Sequence, residues 1–224
     1  DYDALRAAFD WEVPDRFNIA AYTCDRWADE RGRVALFYED GEGQTGTYTF
    51  RQLRDAANRL ANHLADAGVE RGDRIGVNAP QRPETVISHL AAWKLGATSI
   101  PLSTLFGPDG LRYRLEDASA VAAVVDGSNV EAFREARSEL PDLHTVLTVD
   151  AEPDSGETDF HDALAGASRE FDTVDTGAED ESLLIYTSGT TGDPKGVRHV
   201  HRILLGHLPL FLTTFANLEL SDRD

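Results

Sequence analysis

Short apolar segments that alternate with helix-like segments are the feature of this sequence that most constrains its fold. The run Ala-Val-Ala-Ala-Val-Val at residues 120–125 contains no polar position, as expected of a strand that is buried on both faces. Strands and helices that alternate at these lengths predict a largely parallel sheet with helices on both faces. The predicted fold class is therefore α/β.

Strand-like and helix-like segments follow each other along most of the chain. Strands are predicted at residues 34–38, 47–48, 74–78, 98–102, 121–125, 145–149 and 183–186. Helices are predicted at residues 49–68, 83–96, 109–116, 130–140 and 160–165. Two local signals support these boundaries, because Thr49 and Gln52 have the spacing of a capping box and Pro83 suits the first position of a helix.

The pattern weakens in the middle of the chain, which suggests three regions. Residues 1–150 form a first α/β subdomain. Residues 151–182 hold eleven acidic residues and a single arginine, and we interpret them as an acidic connecting segment. Residues 183–224 then begin a second subdomain.

The charge of the chain is strongly negative. Forty acidic residues against 21 basic ones give a formal net charge of −19, and only Lys94 and Lys195 are lysines. Such a charge repels nucleic acid and anionic membranes, and its even spread suggests a protein of a salt-rich, halophilic cytosol.

No run approaches the ~20 apolar residues of a membrane-spanning helix, and a single cysteine excludes an intrachain disulfide. We therefore expect a cytoplasmic protein with neither nucleic acid nor membrane as partner, while oligomerisation stays open.

The stretch at residues 183–201 has the features of a phosphate-binding loop. A short apolar strand leads into six small residues, namely Thr187, Ser188, Gly189, Thr190, Thr191 and Gly192. Small residues allow backbone N–H groups to converge on an anion, and hydroxyl groups add further donors. Lys195 follows at the end of the loop and supplies a compact positive charge. The alternative is an ordinary flexible turn with a solvated lysine.

Two well-known phosphate loops do not match this spacing. A Walker A loop has the lysine directly after a glycine and a hydroxyl residue next, whereas Asp193 and Pro194 separate Gly192 from Lys195 here. The Gly-x-Gly-x-x-Gly of dinucleotide-binding folds is also missing.

The segment from Tyr186 to Val197, YTSGTTGDPKGV, resembles the signature loop of the AMP-forming adenylate synthetases, a superfamily of acyl-CoA synthetases, firefly luciferase and peptide-synthetase adenylation domains. The upstream stretches TYTFRQL, GVERGDRIGV, AAWKLGATSIPLSTLF and LRYRLEDASAVAAVV are similar to the same family in order and spacing. The resemblance covers residues 15–224 and is nearest to acetyl- and medium-chain acyl-CoA synthetases.

This resemblance implies a fold, a reaction and a set of site residues. The chain would form part of the large N-terminal domain of the acyl-CoA synthetase and luciferase fold. A carboxylic acid, such as a fatty acid, would react with ATP to give acyl-AMP and then with CoA to give a thioester, with Mg²⁺ as cofactor. Residues 187–192 would hold the outer phosphates, Lys195 would neutralise them as the catalytic residue, and Thr190, or else Thr191, would lie near the metal.

Family members continue well beyond the point reached here. The resemblance implies that a later aromatic-Thr-Glu segment, a ribose-binding aspartate, a hinge and a small C-terminal domain with a catalytic lysine are not in this sequence. We therefore expect these 224 residues alone to be inactive. Three other functions stay open: another adenylating branch such as an aryl-CoA ligase or peptide-synthetase domain, an ATPase or kinase, and a non-catalytic nucleotide-binding module.

The remaining candidate residues are given structural roles. Lys94 is expected to be a solvated helix residue and His207 a packed one, in an apolar segment at 203–215 that suits a buried helix. His199 and His201 are expected to be polar residues at a helix start, without a metal. Cys24 lacks the basic surroundings of a nucleophile. Trp93 and Phe106 are assigned to the core.

Overall fold

The computed structural model describes residue 3, residues 10–188 and residues 192–210. Its helices are α1 (Ile19–Thr23), α2 (Phe50–Asp66), α3 (Pro83–Leu95), α4 (Pro108–Asp117), α5 (Val130–Arg137), α6 (Phe160–Gly166) and α7 (Ile203–Leu210), with 3₁₀ turns at Asp25–Trp27 and Gly127–Asn129. Its strands are β1 (Val34–Glu39), β2 (Thr45–Thr49), β3 (Arg74–Asn78), β4 (Thr98–Leu102), β5 (Ala122–Asp126), β6 (Thr145–Val149), β7 (Thr158–Asp159), β8 (Glu181–Thr187) and β9 (Lys195–Val200).

A seven-stranded sheet organises this part of the chain. Its strand order is β7-β6-β5-β3-β4-β8-β9, and every neighbouring pair is parallel except β8 and β9. The predicted α/β class with a mostly parallel sheet is confirmed. Strands β1 and β2 form a separate antiparallel hairpin, as the sequence also predicts.

Helices cover both faces of the sheet, because side chains of the central strands point alternately to opposite sides. In β5, Ala122 and Val124 pack in one core with α2, α3 and α6. Ala123 and Val125 pack in the other core with α4 and α5. All four side chains are inaccessible to solvent, which explains why residues 122–125 include no polar residue.

The predicted ends of the helices are largely confirmed. Thr49 and Gln52 form the reciprocal capping box at the start of α2. Helix α3 begins at Pro83 and ends before Gly96, which has a left-handed φ of 70°. Only glycine adopts this conformation without a steric penalty.

The acidic segment at residues 151–182 is folded against the first half of the chain. Strand β7 pairs with β6, and Phe160 of α6 is fully buried in the core with α2 and α3. Strand β8 then lies beside β4 in the same sheet. The division into two subdomains with a connecting segment stays a prediction.

Two sequence expectations about single residues are wrong. Lys94 is only 1% exposed, and its side chain reaches the 3₁₀ turn at Asp25–Trp27. Its ammonium group donates to the Asp25 carboxylate and, at 3.2 Å, to the Thr173 hydroxyl. His207 is exposed rather than packed, since α7 turns Ile203, Leu204 and Leu205 toward the protein instead.

Other expectations hold. Trp93 and Phe106 are partly buried against the cores. Helix α7 is partly buried at residues 203–205, and the rest of the apolar segment, at 211–215, lies outside the described residues. None of the helices within residues 10–188 and 192–210 has the length and apolar character needed to cross a bilayer.

The ion pair between Lys94 and Asp25 leads to a stability prediction. Replacing Asp25 by alanine leaves a buried ammonium group without a counter-charge, so we expect the free energy of unfolding to fall by about 3–5 kcal/mol. Asp175→Ala is the control, because the ion pair of Asp175 with Arg16 is exposed and its loss costs at most about 1 kcal/mol. Urea unfolding measures both values. If both variants lost the same free energy of unfolding, the Asp25→Ala variant would not contain a buried Lys94 charge without a partner, and the prediction would be wrong.

Candidate functional site

The antiparallel hairpin of β8 and β9 carries the predicted phosphate loop. Strand β8 ends at Thr187 and β9 begins at Lys195, and these two residues are cross-strand partners. Tyr186 and Gly196 form the next pair. The loop therefore begins and ends at one point of the sheet, with the lysine at its base.

The structure describes four of the seven predicted site residues. Thr187, Ser188 and Lys195 are exposed. Gly192 has a φ of 89° and open space where a side chain would lie, which suits a loop that needs a left-handed backbone and a close approach. Gly189, Thr190 and Thr191 lie outside the described residues. The assignment of all seven as a binding site stays a prediction.

Lys195 differs from most basic residues of the chain in its electrostatic surroundings. No described carboxylate lies within ion-pair distance of its ammonium group, whereas Arg198 on the same strand pairs with Glu181 at 2.7 Å. In a protein with 40 acidic residues, an unpaired and exposed lysine is available for an external anion.

Helix α4 supports the hairpin from one side, which the sequence alone does not reveal. The Tyr113 hydroxyl donates to the carbonyl oxygen of Pro194 at 3.0 Å. The Tyr186 hydroxyl donates to Oδ2 of Asp117 at 2.6 Å. Burial and the Asp117 charge raise the pKa of Tyr186, so this hydroxyl stays protonated and donates at neutral pH.

The sequence expectation that both histidines after the loop lie at a helix start is wrong for His199, whereas His201 lies in the turn just before α7. His199 belongs to β9, because the chain extends the hairpin after Lys195 before it turns into α7. His201 is fully buried, and its Nδ1 accepts a hydrogen bond from the backbone N–H of Ile19 at 3.2 Å. Burial lowers its pKa to about 4, so the ring is neutral at pH 7.

The residues described show neither a metal-binding cluster nor a reactive cysteine. No group of three or more His, Cys, Asp or Glu side chains in residues 10–188 and 192–210 could hold a metal ion. Cys24 is buried, and burial raises the pKa of its thiol to about 12. A thiolate nucleophile at this position is therefore excluded at neutral pH.

A crevice lies at the carboxyl ends of β3 and β4. The helix after β3 packs in the core with α2, and the helix after β4 packs in the opposite core. Ligands of open α/β sheets bind where connections leave in opposite directions in this way. A cavity of about 340 Å³ occupies this position, and its walls include Pro80, Thr85, His89, Ser103 and Thr104.

His89 gives this crevice a neutral polar group. Burial lowers the pKa of His89 to about 4, and its Nδ1 shares a hydrogen bond with the Ser99 hydroxyl.

A larger cavity of about 690 Å³ lies between α2, the 3₁₀ turn at Asp25–Trp27 and residues 169–173. None of the described residues that line this larger cavity belongs to the hairpin of β8 and β9. The cavity is therefore not the predicted phosphate site, although it is the larger of the two.

Comparison with known proteins identifies the family. The model of a family described as AMP-binding enzyme matches residues 24–219. The chain therefore belongs to the AMP-binding enzymes. An acetyl-coenzyme A synthetase of Magnetococcus marinus is 32% identical over 219 residues, which cover 89% of this chain and 34% of that relative.

Solved structures agree with this assignment. An acyl-CoA synthetase of Brucella canis matches with a TM-score of 0.85 and 31% identity, over 99% of this chain and 42% of that one. The anthranilate CoA ligase AuaEII, solved in complex with anthranoyl-AMP, matches with a TM-score of 0.77 and 27% identity, over 91% and 38% of the two chains. The chain thus spans about a third to two-fifths of the proteins it matches.

The buried His201 leads to a prediction about pH. The unfolded chain binds a proton at this residue below its ordinary pKa of 6.5, and the folded chain does so only near 4. Lowering the pH through this window should therefore reduce the free energy of unfolding, by up to about 3 kcal/mol for this group. His201→Gln should show a shallower pH dependence than wild type in urea unfolding between pH 4 and pH 7.

His207→Gln is the matched control, because His207 is exposed on the following helix. Its pH dependence should equal that of the wild type. An unchanged pH dependence in His201→Gln would show that His201 is not buried in its neutral form.

Proposed function

We propose that this chain is the part of an AMP-forming acyl-CoA synthetase that holds the outer phosphates of ATP. In this reaction a carboxylate oxygen attacks the α-phosphate of ATP, and pyrophosphate leaves. The thiol of CoA then attacks the acyl carbon of the acyl-AMP, and AMP leaves. The observation that carries the proposal is the exposed Lys195 at the base of a loop of small residues, with no carboxylate of the described residues within ion-pair distance.

The proposed role of Lys195 follows from the charge that develops in the first step. Negative charge builds up on the departing pyrophosphate, and a preorganised cation or donor stabilises it. The hydroxyls of Thr187 and Ser188 are exposed beside the loop and supply further donors. Backbone N–H groups near Gly192 suit an anion because the residue has a left-handed φ and no side chain in the way.

A local cation matters more in this protein than in a neutral one. The net charge of −19 repels ATP at long range, and this repulsion is weakened by salt. Close donors and a single lysine must therefore supply the attraction at short range. Mg²⁺ would further neutralise the phosphates when bound, and Thr190 is the residue proposed to lie near it.

The described residues fit the phosphate part of this proposal better than the metal part. They contain the unpaired Lys195 and the hydroxyl of Thr187, which suit phosphate oxygens. They contain no cluster of carboxylates or histidines that could hold a metal ion, and Thr190 stays the residue proposed to lie near magnesium.

The comparisons support acid activation but not the choice of acid. The relatives include an acetyl-coenzyme A synthetase, and one structural neighbour carries an aromatic acyl-adenylate. We propose a carboxylic acid, such as a fatty acid, as substrate and CoA as the acceptor, and the chain length of the acid stays open. An aryl-CoA ligase or a peptide-synthetase adenylation domain is the nearest alternative, and pyrophosphate release measured across acids of rising chain length distinguishes them.

A phosphate-transferring ATPase or kinase is a second alternative. The spacing between Gly192 and Lys195 speaks against a Walker A loop. The nucleotide product separates the two reactions, since an acid-activating enzyme releases AMP and a kinase releases ADP.

The proposal predicts a large effect of Lys195. In the complete product of the gene that encodes this chain, Lys195→Ala should lower acid-dependent ATP–pyrophosphate exchange about 10²-fold, a loss comparable to that of one oxyanion-hole donor. Arg198→Ala is the matched control, because Arg198 is an exposed cation on the same strand that pairs with Glu181. Exchange at the wild-type rate in Lys195→Ala would refute the proposed role.

The chain by itself should not complete the reaction. It spans about a third to two-fifths of the length of the synthetases it matches, so groups needed for thioester formation are expected elsewhere. Purified as 224 residues, it should form no acyl-CoA from ATP, CoA and an acid, as followed by mass spectrometry. CoA-dependent release of AMP at the rate of a complete synthetase would contradict this prediction.

A further inference from the structure

Both neighbours of Lys195 along the chain are held by side chains. On one side, the Tyr113 hydroxyl donates to the carbonyl oxygen of Pro194 at 3.0 Å. On the other side, Gly196 lies directly on the ring of Tyr186, where an added Cβ would come within 3.3 Å and 3.4 Å of ring carbons. The backbone that carries the lysine is therefore fixed immediately before and immediately after it.

Helix α4 supplies the first support, Tyr113, and also Asp117, which holds the hydroxyl of the second, Tyr186 of β8. Tyr113 and Asp117 are four residues apart and so lie on the same face of the helix. Asp117 accepts the hydrogen bond of the Tyr186 hydroxyl at 2.6 Å. The two tyrosine rings also meet edge to face, with centroids 6.4 Å apart. Tyr113, Asp117 and Tyr186 thus form one contact group, which we name the tyrosine bracket.

The tyrosine bracket extends to the segment that follows β4. The guanidinium group of Arg114 lies 3.9 Å from the centroid of the Phe106 ring and 5.9 Å from that of Tyr186. Phe106 precedes α4 in the connection whose first residues, Ser103 and Thr104, line the crevice. Helix α4 therefore contacts both the base of the phosphate loop and the segment whose first residues line the crevice.

We propose that Tyr113 is a positioning residue for Lys195, acting through the carbonyl of Pro194 and supported by Asp117 and Tyr186. This inference rests on the proposed function, in which Lys195 meets the phosphates of ATP. A lysine side chain has a flexible four-carbon stem, so its ammonium group reaches a defined place only if its backbone is held. The six small residues before Lys195 have no large side chain that could pack against the rest of the protein and hold the backbone.

The location of the tyrosine bracket distinguishes positioning from general stabilisation. Asp117 is exposed, and Tyr113 and Tyr186 are only partly buried. Hydrogen bonds in such places contribute little to the stability of the fold. Their strongest consequence is therefore local, at the two residues that flank Lys195.

The test is the variant Tyr113→Phe in the complete product of the gene, which removes the hydroxyl and keeps the ring. We expect kcat/KM for ATP in acid-dependent ATP–pyrophosphate exchange to fall about fivefold, the factor that one lost hydrogen bond typically produces. The KM for the acid and the melting temperature should stay at their wild-type values. Tyr22→Phe is the matched control, since the Tyr22 ring contacts Arg26 and Phe17 rather than the tyrosine bracket, and it should behave as wild type.

A double-mutant cycle shows whether Tyr113 acts through Lys195. In the Lys195→Ala background, Tyr113→Phe should cause no further loss, because the group that it positions has been removed. A full fivefold loss in that background, or equal rates for Tyr113→Phe and Tyr22→Phe, would overturn the inference. If Tyr113→Phe does not fold, Asp117→Ala carries the same measurement, because Asp117 is exposed and its removal takes away the acceptor of the Tyr186 hydroxyl.

The same assay separates the two claims. If the wild-type protein shows no pyrophosphate exchange with any carboxylic acid, the proposed function fails. If it shows exchange that depends on Lys195 but not on Tyr113, only the positioning role fails.

Discussion

The pairing of β8 with β4 brings the phosphate loop to the rest of the sheet. β8 follows β4 by some eighty residues along the chain, yet the two strands are neighbours, with Leu183 opposite Ser99. Strands that are buried in a parallel sheet must find a partner for their backbone groups, so this pairing fixes where the hairpin lies. The hairpin in turn places Lys195 beside α4 and near the connection that follows β4. A shift of this one pairing would move every proposed phosphate contact together.

The two lysines of the chain show how the negative charge is managed. Lys94 is buried, and the Asp25 carboxylate neutralises it as part of the fold. Lys195 is exposed and has no described carboxylate partner. Most of the described arginines pair with the abundant acidic residues, as exposed Arg198 does with Glu181 and the more buried Arg82 with Glu84 and Asp126. Among the residues described, Lys195 is thus one of the few cations without a carboxylate partner, and the proposed function assigns it an anionic ligand.

Local sequence signals predicted the elements of the fold but not the contacts between distant elements. The run at 120–125 predicted a strand buried on both faces, and Thr49 with Gln52 predicted the start of α2, because both signals act within a few residues. The burial of Lys94 depends on Asp25, which lies 69 residues away, and no local pattern indicates that pairing. The contact between Tyr113 and Pro194 spans 81 residues and was missed for the same reason. The sequence predicts His199 at a helix start because local periodicity does not reveal the pairing of β9 with β8.

The central claim is that the hairpin of β8 and β9 holds the outer phosphates of ATP at Lys195. A crystal structure of the protein with a non-hydrolysable ATP analogue tests it most directly. The claim predicts phosphate oxygens within hydrogen-bond distance of Nζ of Lys195, with the Tyr113 hydroxyl still bonded to the carbonyl oxygen of Pro194. Phosphates bound elsewhere on the chain, with Lys195 left in solvent, would contradict it.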